Sequence, residues 1–281
     1  MTLLTARMPA CTQAARRLRR AEHCQRSARY RYAALMMRKA HSHPGQPARH
    51  GVARVISRLG LGSRTQAAQW VQEGRVRVNG QLVRDAEFPV QQGTDRVEVD
   101  ERELTAAARV VLMLNKPRGL VTTRQDEQGR ETVYRCFAGA ALPWLAPVGR
   151  LDKASEGLLL FSNDPAWAAL VTAPGSGPDK TYHVQINRVP DAALLAALRH
   201  GAVQDKELLK FKSVRTLRAG KKNAWLEVTL DEGRNRQIRR VLEAFEIAAL
   251  RLVRVAIGPL KLGELPKGKW RLLGELEIAS L

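Results

Sequence analysis

One acidic residue, Asp152, lies between two cations, Arg150 and Lys153, in the stretch PVGRLDKASEGLLLFSND. It comes shortly before Gly157 and the apolar run at residues 158–161, which is typical of a buried strand. A carboxylate in this place can simply pair with a neighbouring cation at the surface. It can also act as a nucleophile toward electrophilic carbon.

Two further segments contain residue types suited to chemistry on a nucleobase. LDEGRNRQIRRVLEAF concentrates arginines, Arg239 among them, at the start of an amphipathic helix, and DKTYHVQI places Lys180 and Tyr182 on one side of a strand. An arginine can orient a carboxylate, and a flipped base can stack on an aromatic ring. Glycoside hydrolysis instead needs two carboxylates, for which Glu156 is the nearby candidate, and a zinc deaminase needs a His/Cys cluster.

The charge of the whole chain points to a polyanionic partner. Its 281 residues are enough for two domains, and 47 Lys and Arg oppose 27 Asp and Glu, a net charge of +20. A surplus of this size favours nucleic acid. No apolar run approaches the roughly 18 residues of a membrane span, so no membrane partner is expected. The scattered Cys11, Cys24 and Cys136 fit neither a disulfide framework nor a zinc site, which favours a cytoplasmic protein.

Residues 1–50 differ in composition from the rest of the chain. They hold ten arginines and one lysine against a single acid, Glu22, a charge of +10. Such a segment cannot bury enough apolar surface to fold alone, and it is predicted to be disordered. Three interpretations stay open: an RNA-binding arm, an organellar transit peptide, or an upstream extension before a start at Met36 or Met37.

Residues 51–100 are predicted to form a compact unit of two helices followed by a hairpin. Apolar residues at 52, 55, 56 and 59 share one helical face. Ser63, with Gln66 three positions later, has the pattern of a capping box that opens a second helix, ending at Gly74. Asn79-Gly80 within RVRVNGQLV predicts a tight hairpin turn. The polar segment 101–108 is predicted to be a linker.

Polar residues near the helix N-terminus and the hairpin are candidates for RNA contacts, because such positions bind phosphate. The run SRLGLGSRTQAAQWVQEGRVRVNGQLV and the later VEV at 97–99 resemble the S4 RNA-binding domain. The resemblance implies that this unit binds structured RNA through its arginine-bearing face. The candidate residues are Ser63, Arg64, Arg75, Arg77 and Asn79.

Residues 109–281 are predicted to form a larger α+β domain with a mixed, mainly antiparallel sheet; the central cleft expected in it is implied by the family resemblance described below. RVVLMLNKP, GLLLFSN, TYHVQI, AWLEVTL and RLVRVAIG have the composition of strands, and Pro117 ends the first of them. Helices are predicted at 165–171, 191–198 and 236–245. A few helices scattered among many strands favour this class over a doubly wound sheet.

Four sequence blocks of this domain resemble a known family. LNKPRGLVTT, GRLDKASEGLLLFSND, DKTYHVQI and EGRNRQIRR, in this order, are similar to the blocks of the RsuA-like family of ribosomal RNA pseudouridine synthases. The second block matches the family signature around the catalytic aspartate, and Ser155 agrees with the serine or threonine that follows it by three residues. With the S4-like unit, the resemblance covers nearly everything after residue 50; the basic N-terminal segment is outside it.

The resemblance implies isomerisation of uridine to pseudouridine in ribosomal RNA, with no cofactor and no metal. Asp152 would be the nucleophile, with attack at C1′ of the ribose or C6 of the base both open. Tyr182 would stack on the base, and Arg239 would pair with Asp152 across the cleft. Arg150 would bind phosphate or hold the flipped nucleotide. Ile238 would pack against the base, and Lys180 joins the expected substrate-binding residues.

Two other functions are weighed against this one. A non-catalytic RNA-binding or ribosome-assembly protein would keep the fold, and a base-releasing glycosylase would act on the same nucleoside. The presence of Asp152, Tyr182 and Arg239 argues against the first, and the single carboxylate argues against the second. The expected partner is ribosomal RNA or a ribosome assembly intermediate, and a monomer is expected. RNRQIRR and SEGLLL favour the large subunit, but the motifs do not identify the uridine.

Overall fold

The computed structural model describes residues 49–281, so the predictions made for residues 1–48 lie outside the described residues. The smaller part of the described chain has two helices and six short strands. Strands β2, β3, β5 and β6 form a four-stranded sheet in the order β3-β2-β5-β6, and β1 pairs with β4. The elements are β1 (Arg49–Gly51), α1 (Val52–Arg58), α2 (Arg64–Gln72), β2 (Val76–Val78), β3 (Gln81–Leu82), β4 (Pro89–Gln91), β5 (Val97–Val99) and β6 (Arg102–Glu103).

The predicted start of the second helix is confirmed. The Ser63 hydroxyl accepts a hydrogen bond from the Gln66 backbone N–H at 3.1 Å, and the Gln66 side chain accepts one from the Ser63 N–H at 3.1 Å. These two bonds satisfy two N–H groups that the first helical turn leaves without partners. The hairpin at Asn79-Gly80 is also confirmed, since both residues adopt positive φ, 51° and 80°.

The segment predicted to be a linker differs from the expectation. Arg102–Glu103 forms β6 and pairs antiparallel with Glu98 and Val99, so the small sheet continues past residue 100. The turn before it passes through Asp100 and Glu101 at φ 50° and 64°. These residues are not the Asn-Gly or Gly-rich pairs that predict such turns, which is why the sequence did not reveal it.

The larger part is built on a nine-stranded sheet in the order β13-β14-β10-β15-β9-β7-β17, with β16 paired to β15 and β8 to β9. Strands β15 and β9 are parallel, and the other pairs are antiparallel, so the predicted mixed, mainly antiparallel α+β fold is confirmed. The strands are β7 (Val111–Lys116), β8 (Ala146–Val148), β9 (Glu156–Ser162), β10 (Lys180–Ile186), β11 (Ala202–Gln204), β12 (Glu207–Leu209), β13 (Ser213–Ala219), β14 (Ala224–Leu230), β15 (Ala249–Ile257), β16 (Leu260–Lys261) and β17 (Trp270–Leu272).

Four α-helices accompany this sheet, together with a 3-10 helix. The three predicted helices are confirmed, each within two residues of its expected ends. No helix in residues 49–281 combines the length and the apolar character that crossing a bilayer requires. The helices are α3 (Pro165–Thr172), α4 (Ala192–His200), α5 (Gln237–Ala244) and α6 (Glu275–Ala279), and the 3-10 helix is Val133–Phe137.

The sheet has apolar cores on both sides at its β7 and β9 end. Leu159 and Phe161 face one core, and Leu158 and Leu160 face the other, because successive side chains of a strand alternate. Gly157 lies where β9 meets β15. A Cβ at this position would lie 2.3 Å from the Arg254 carbonyl oxygen, so only glycine permits the close approach of these two strands.

Candidate active site

A cavity of about 520 Å³ opens between the loop that precedes β9, the strands β10 and β15, and the start of α5. Its volume lies within the range of small-molecule sites. The structure brings all the predicted catalytic and substrate-binding residues to this one cavity. The residues are Arg150, Asp152, Lys180, Tyr182, Ile238 and Arg239.

Asp152 lies in the loop between β8 and β9, with 40% of its side chain exposed. One carboxylate oxygen is 4.0 Å from Nη1 of Arg236. The prediction that Arg239 pairs directly with Asp152 is therefore wrong for this structure: among the described residues, Arg236 is the cation in ion-pair range. Arg236 is the N-cap of α5 in a left-handed conformation, φ 48°, and this backbone turn places it beside the carboxylate.

Arg239 is held by the main chain instead. Its Nη1 donates to the Ala249 carbonyl at 3.3 Å and its Nη2 to the Ala154 carbonyl at 3.4 Å, two residues after Asp152. Its Nε–H is buried without a partner among the described residues. Burial lowers the pKa of Arg239, as does the nearby Arg236, whereas the charge of Asp152 opposes both. The guanidinium therefore links the start of β15 to the loop of Asp152.

Lys116, which the sequence reasoning missed, supports the same loop from behind. Its side chain is fully buried, and its Nζ donates to the carbonyls of Asp152 at 3.1 Å, Ser155 at 2.8 Å and Pro117 at 3.2 Å. Burial lowers its pKa to about 8, against the attraction of Asp152. A lysine at the end of a buried strand, directly before a proline, was the signal that could have identified it.

The floor of the cavity comes from β10 and β15. Tyr182 is almost completely buried in the larger core, and Lys180, two residues earlier, is equally buried on the same side of β10. Burial lowers the pKa of Lys180, and the neighbouring Arg254 lowers it further. Arg254, a second residue that the sequence reasoning missed, also lines the cavity and donates from Nε to the Leu158 carbonyl at 2.7 Å.

The five predicted RNA contacts lie away from this cavity, in the smaller part of the chain. Ser63 and Asn79 have internal partners: Ser63 caps α2, and the Asn79 amide binds Asp95 and the Arg96 N–H. Arg75 forms two hydrogen bonds to Asp100 and stacks on Trp70. Arg77 donates to the Gly80 carbonyl, and Arg64 is exposed at the first turn of α2. They remain predictions.

Comparison with known proteins identifies the family. The model of the RNA pseudouridylate synthase family matches residues 110–244, and the S4 domain model matches residues 52–97. An uncharacterized RNA pseudouridine synthase of Aquifex aeolicus is 35% identical over 231 residues, 82% of this chain and 92% of the relative. The ribosomal large subunit pseudouridine synthase B of Bacillus subtilis is 33% identical over 230 residues, 81% of this chain and 93% of the relative.

A solved structure supports the same assignment. A crystal structure of a pseudouridylate synthase superposes with a TM-score of 0.58 at 28% identity, covering 82% of this chain and 99% of that one. The S4 domain and the family predicted from the sequence are thus confirmed. With its S4 unit, its mixed sheet and its cavity around Asp152, the chain belongs to the RNA pseudouridine synthases, enzymes that isomerise uridine in RNA.

Proposed function

We propose that this enzyme converts a uridine of large-subunit ribosomal RNA into pseudouridine, with Asp152 as the nucleophile. The observation that carries the proposal is the cavity in which Asp152, Tyr182 and Arg239 meet although they are far apart in sequence. The large subunit is supported by the name of the Bacillus subtilis relative, which aligns over 93% of its length.

The isomerisation needs a reactive carboxylate and a place for a detached base. The N1–C1′ bond breaks, C1′ joins C5, the proton on C5 leaves, and N1 regains a proton. The reaction has no net redox change, so we propose that no cofactor or metal takes part. Asp152 attacks C1′ of the ribose or C6 of the base. Tyr182 stacks on the uracil, and Ile238 packs against it while it turns over.

The cations of the cavity have separate proposed tasks. Arg236 orients the carboxylate of Asp152, since it lies within 4.0 Å. Arg239 fixes the loop through Ala154 and contributes positive charge to the wall of the cavity. Arg150 binds a phosphate beside the flipped nucleotide, and Lys180 contributes a further positive charge from the floor.

We propose that the S4 unit holds structured RNA through Arg64, Arg75 and Arg77, while Ser63 and Asn79 shape the backbone that presents them. The proposed division is an S4 unit at 51–100, a linker at 101–108 and a catalytic domain at 109–281. Because β6 pairs with β5, the first residues of the linker belong to the S4 sheet. We further propose that the enzyme is a monomer and acts in the cytoplasm on ribosomal RNA or an assembly intermediate.

Pseudouridine mapping of ribosomal RNA by carbodiimide treatment and primer extension tests this proposal. Cells with the protein, without it, with Asp152→Asn, and with Asp205→Asn are compared; Asp205 is an exposed acid on the β11–β12 turn and is the matched control. One stop should vanish in the deletion and in Asp152→Asn and persist in Asp205→Asn. An unchanged map in the deletion would refute the ribosomal assignment. A stop kept by Asp152→Asn would refute the nucleophile.

A further inference from the structure

The nine-stranded sheet has a second surface of polar residues, on the side opposite the cavity. Strand alternation directs Tyr182 toward the cavity and its neighbours His183 and Gln185 to the other side. In the register of the strands, Gln185 stands directly between Trp225 on β14 and Arg251 on β15. Arg218 on the edge strand β13 stands opposite Trp225. We call this row of four residues, Arg218, Trp225, Gln185 and Arg251, the outer row.

Trp225 is flanked by two arginines of the outer row. The guanidinium carbon of Arg218 is 5.2 Å from the ring centroid, and that of Arg251 is 5.8 Å away. Both distances are within the range of cation–π contacts. The outer row therefore presents an aromatic ring and two planar cations, and both kinds of group stack with nucleobases.

The position of Arg251 is fixed before any partner arrives. Its Nε and Nη2 donate to the two carboxylate oxygens of Glu156 at 2.8 and 3.1 Å, and Lys267 binds the same carboxylate at 2.5 Å. Only 3% of the Glu156 side chain is exposed, whereas 38% of Arg251 is exposed. Burial alone would raise the pKa of Glu156, but the bonds from Arg251 and Lys267 outweigh it and lower the pKa. A buried, ionised anchor thus holds an accessible guanidinium beside Trp225.

Cations outnumber acids around the outer row. Glu227, the acid nearest to Trp225 along β14, is already bonded to Arg215 at 2.7 Å and lies 3.5 Å from His183. Lys221 and Lys222 are exposed in the turn between β13 and β14, next to Arg218. The surface therefore keeps a positive surplus that matches the charge of a phosphate backbone.

We propose that the outer row and the β13–β14 turn bind a segment of the substrate RNA that lies outside the nucleotide held in the cavity. A base stacks against Arg218, Trp225 or Arg251, and phosphates pair with Arg218, Lys221 and Lys222. The alternative is an ordinary solvated face, which antiparallel sheets often have. A solvated face does not require a tryptophan placed between two arginines, one of which is held by a buried carboxylate. The inference requires an RNA substrate and does not depend on which RNA contains the target uridine.

The placement makes the expected effect depend on the length of the RNA. The outer row and the cavity lie on opposite sides of the sheet, and β13 is its edge strand. A short stem-loop that fills the cavity does not reach the outer row, whereas a long RNA reaches it by passing around β13. Substitutions in the outer row should therefore weaken the binding of a long RNA and leave the binding of the short stem-loop unchanged.

Salt titration of binding to the full-length enzyme tests the electrostatic part. The probes are a transcript of one large-subunit rRNA domain and a short stem-loop. Log K falls as log salt rises, and the steepness of this fall counts the phosphate contacts. For Arg218→Gln/Lys221→Gln/Lys222→Gln, the steepness should decrease by about 2 to 3 for the long transcript and stay unchanged for the stem-loop. Arg218→Gln alone should lower it by about 0.7 to 0.9. The matched control is Arg199→Gln, an exposed cation on α4, which should lower neither slope.

Variants of Trp225 test the stacking part. Trp225→Ala should weaken binding of the long transcript roughly 5- to 100-fold, and Trp225→Phe should restore most of it, because stacking needs a ring of either kind. Crosslinking of a transcript containing 4-thiouridine should yield peptides from residues 213–225. Equal weakening of both RNAs, no weakening, or crosslinks confined to the cavity and the S4 unit would overturn the proposal. These experiments measure RNA binding and not pseudouridine formation. Their outcome therefore tests the outer row separately from the proposed ribosomal target.

Discussion

Replacing Lys116 with methionine should reduce the isomerisation rate far more than it reduces stability. Methionine keeps the length and apolar character of the buried stem but removes the ammonium group. The carbonyls of Asp152 and Ser155 then lose the donor that holds them at 3.1 and 2.8 Å. The loop that presents the Asp152 carboxylate therefore loses its internal anchor, although the strand β7 below it is unchanged.

The magnitudes follow from two opposing terms. Burial lowers the pKa of Lys116 from 10.5 to about 8, so the charged form costs about 3 kcal/mol at neutral pH, a cost that methionine removes. Each buried carbonyl left unpaired costs about 1 to 3 kcal/mol. Only the bond to Ser155 is fully buried, so the three carbonyls together cost near the lower end of this range, about 3 kcal/mol, and this cost offsets the burial term in the free energy of unfolding. The loop, however, loses about 2 kcal/mol of preference for its catalytic position, which corresponds to about a 30-fold lower kcat/KM.

Single-turnover kinetics with tritium-labelled uridine in a substrate RNA, together with calorimetric melting, measures both quantities. Lys116→Met should lose at least about 30-fold in rate while its Tm moves by only a few degrees. The control Lys261→Met removes an exposed lysine on β16 and should leave both values unchanged. A wild-type rate in Lys116→Met, or a fall in Tm large enough to explain the lost activity, would refute the anchoring role.

Three further outcomes are expected. The rate should fall as pH rises through about 8, because neutral Lys116 has only two N–H donors for three carbonyls. The free energy of unfolding should instead rise between pH 8 and 10.5, because the unfolded chain still binds the proton that the folded protein has lost. Lys116→Arg should abolish the fall in rate above pH 8, because arginine stays charged there. Glu156→Gln should destabilise the fold by about 2 kcal/mol in urea unfolding. That difference should be present above about pH 4.5 and vanish as the pH falls through the lowered folded pKa of Glu156. Ser63→Ala should cost about 1 kcal/mol, measured in the same way, because α2 loses its cap.

Local patterns predicted the regular elements well, for identifiable physical reasons. In β10 and β14 buried and half-buried residues alternate strictly, so the period of two was visible in TYHVQI and AWLEVTL. Ser63 and Gln66 were recognisable as a capping box because the bonds join residues only three positions apart. Asn79-Gly80 predicted its hairpin because both residues tolerate positive φ.

Other turns escaped prediction because their residue types do not favour the conformation they adopt. The hairpins β5–β6 and β11–β12 turn through Asp100-Glu101 and Asp205-Lys206, with φ between 50° and 64°. Left-handed conformations cost such residues about 1 kcal/mol each, so sequence alone argues against them. The pairing of the flanking strands offsets that cost, and it depends on contacts with the rest of the fold.

The sequence by itself determined the residue types of the site and the elements that carry them: a carboxylate before β9, a tyrosine on β10 and arginines at the start of α5. Only the tertiary structure decided which of these side chains meet. It placed Arg236 rather than Arg239 next to Asp152, and it buried Lys116 beneath the catalytic loop. The reason is that a side-chain pair 84 residues apart is set by how the strands and α5 pack, whereas strand periodicity and helix caps are set by neighbours along the chain.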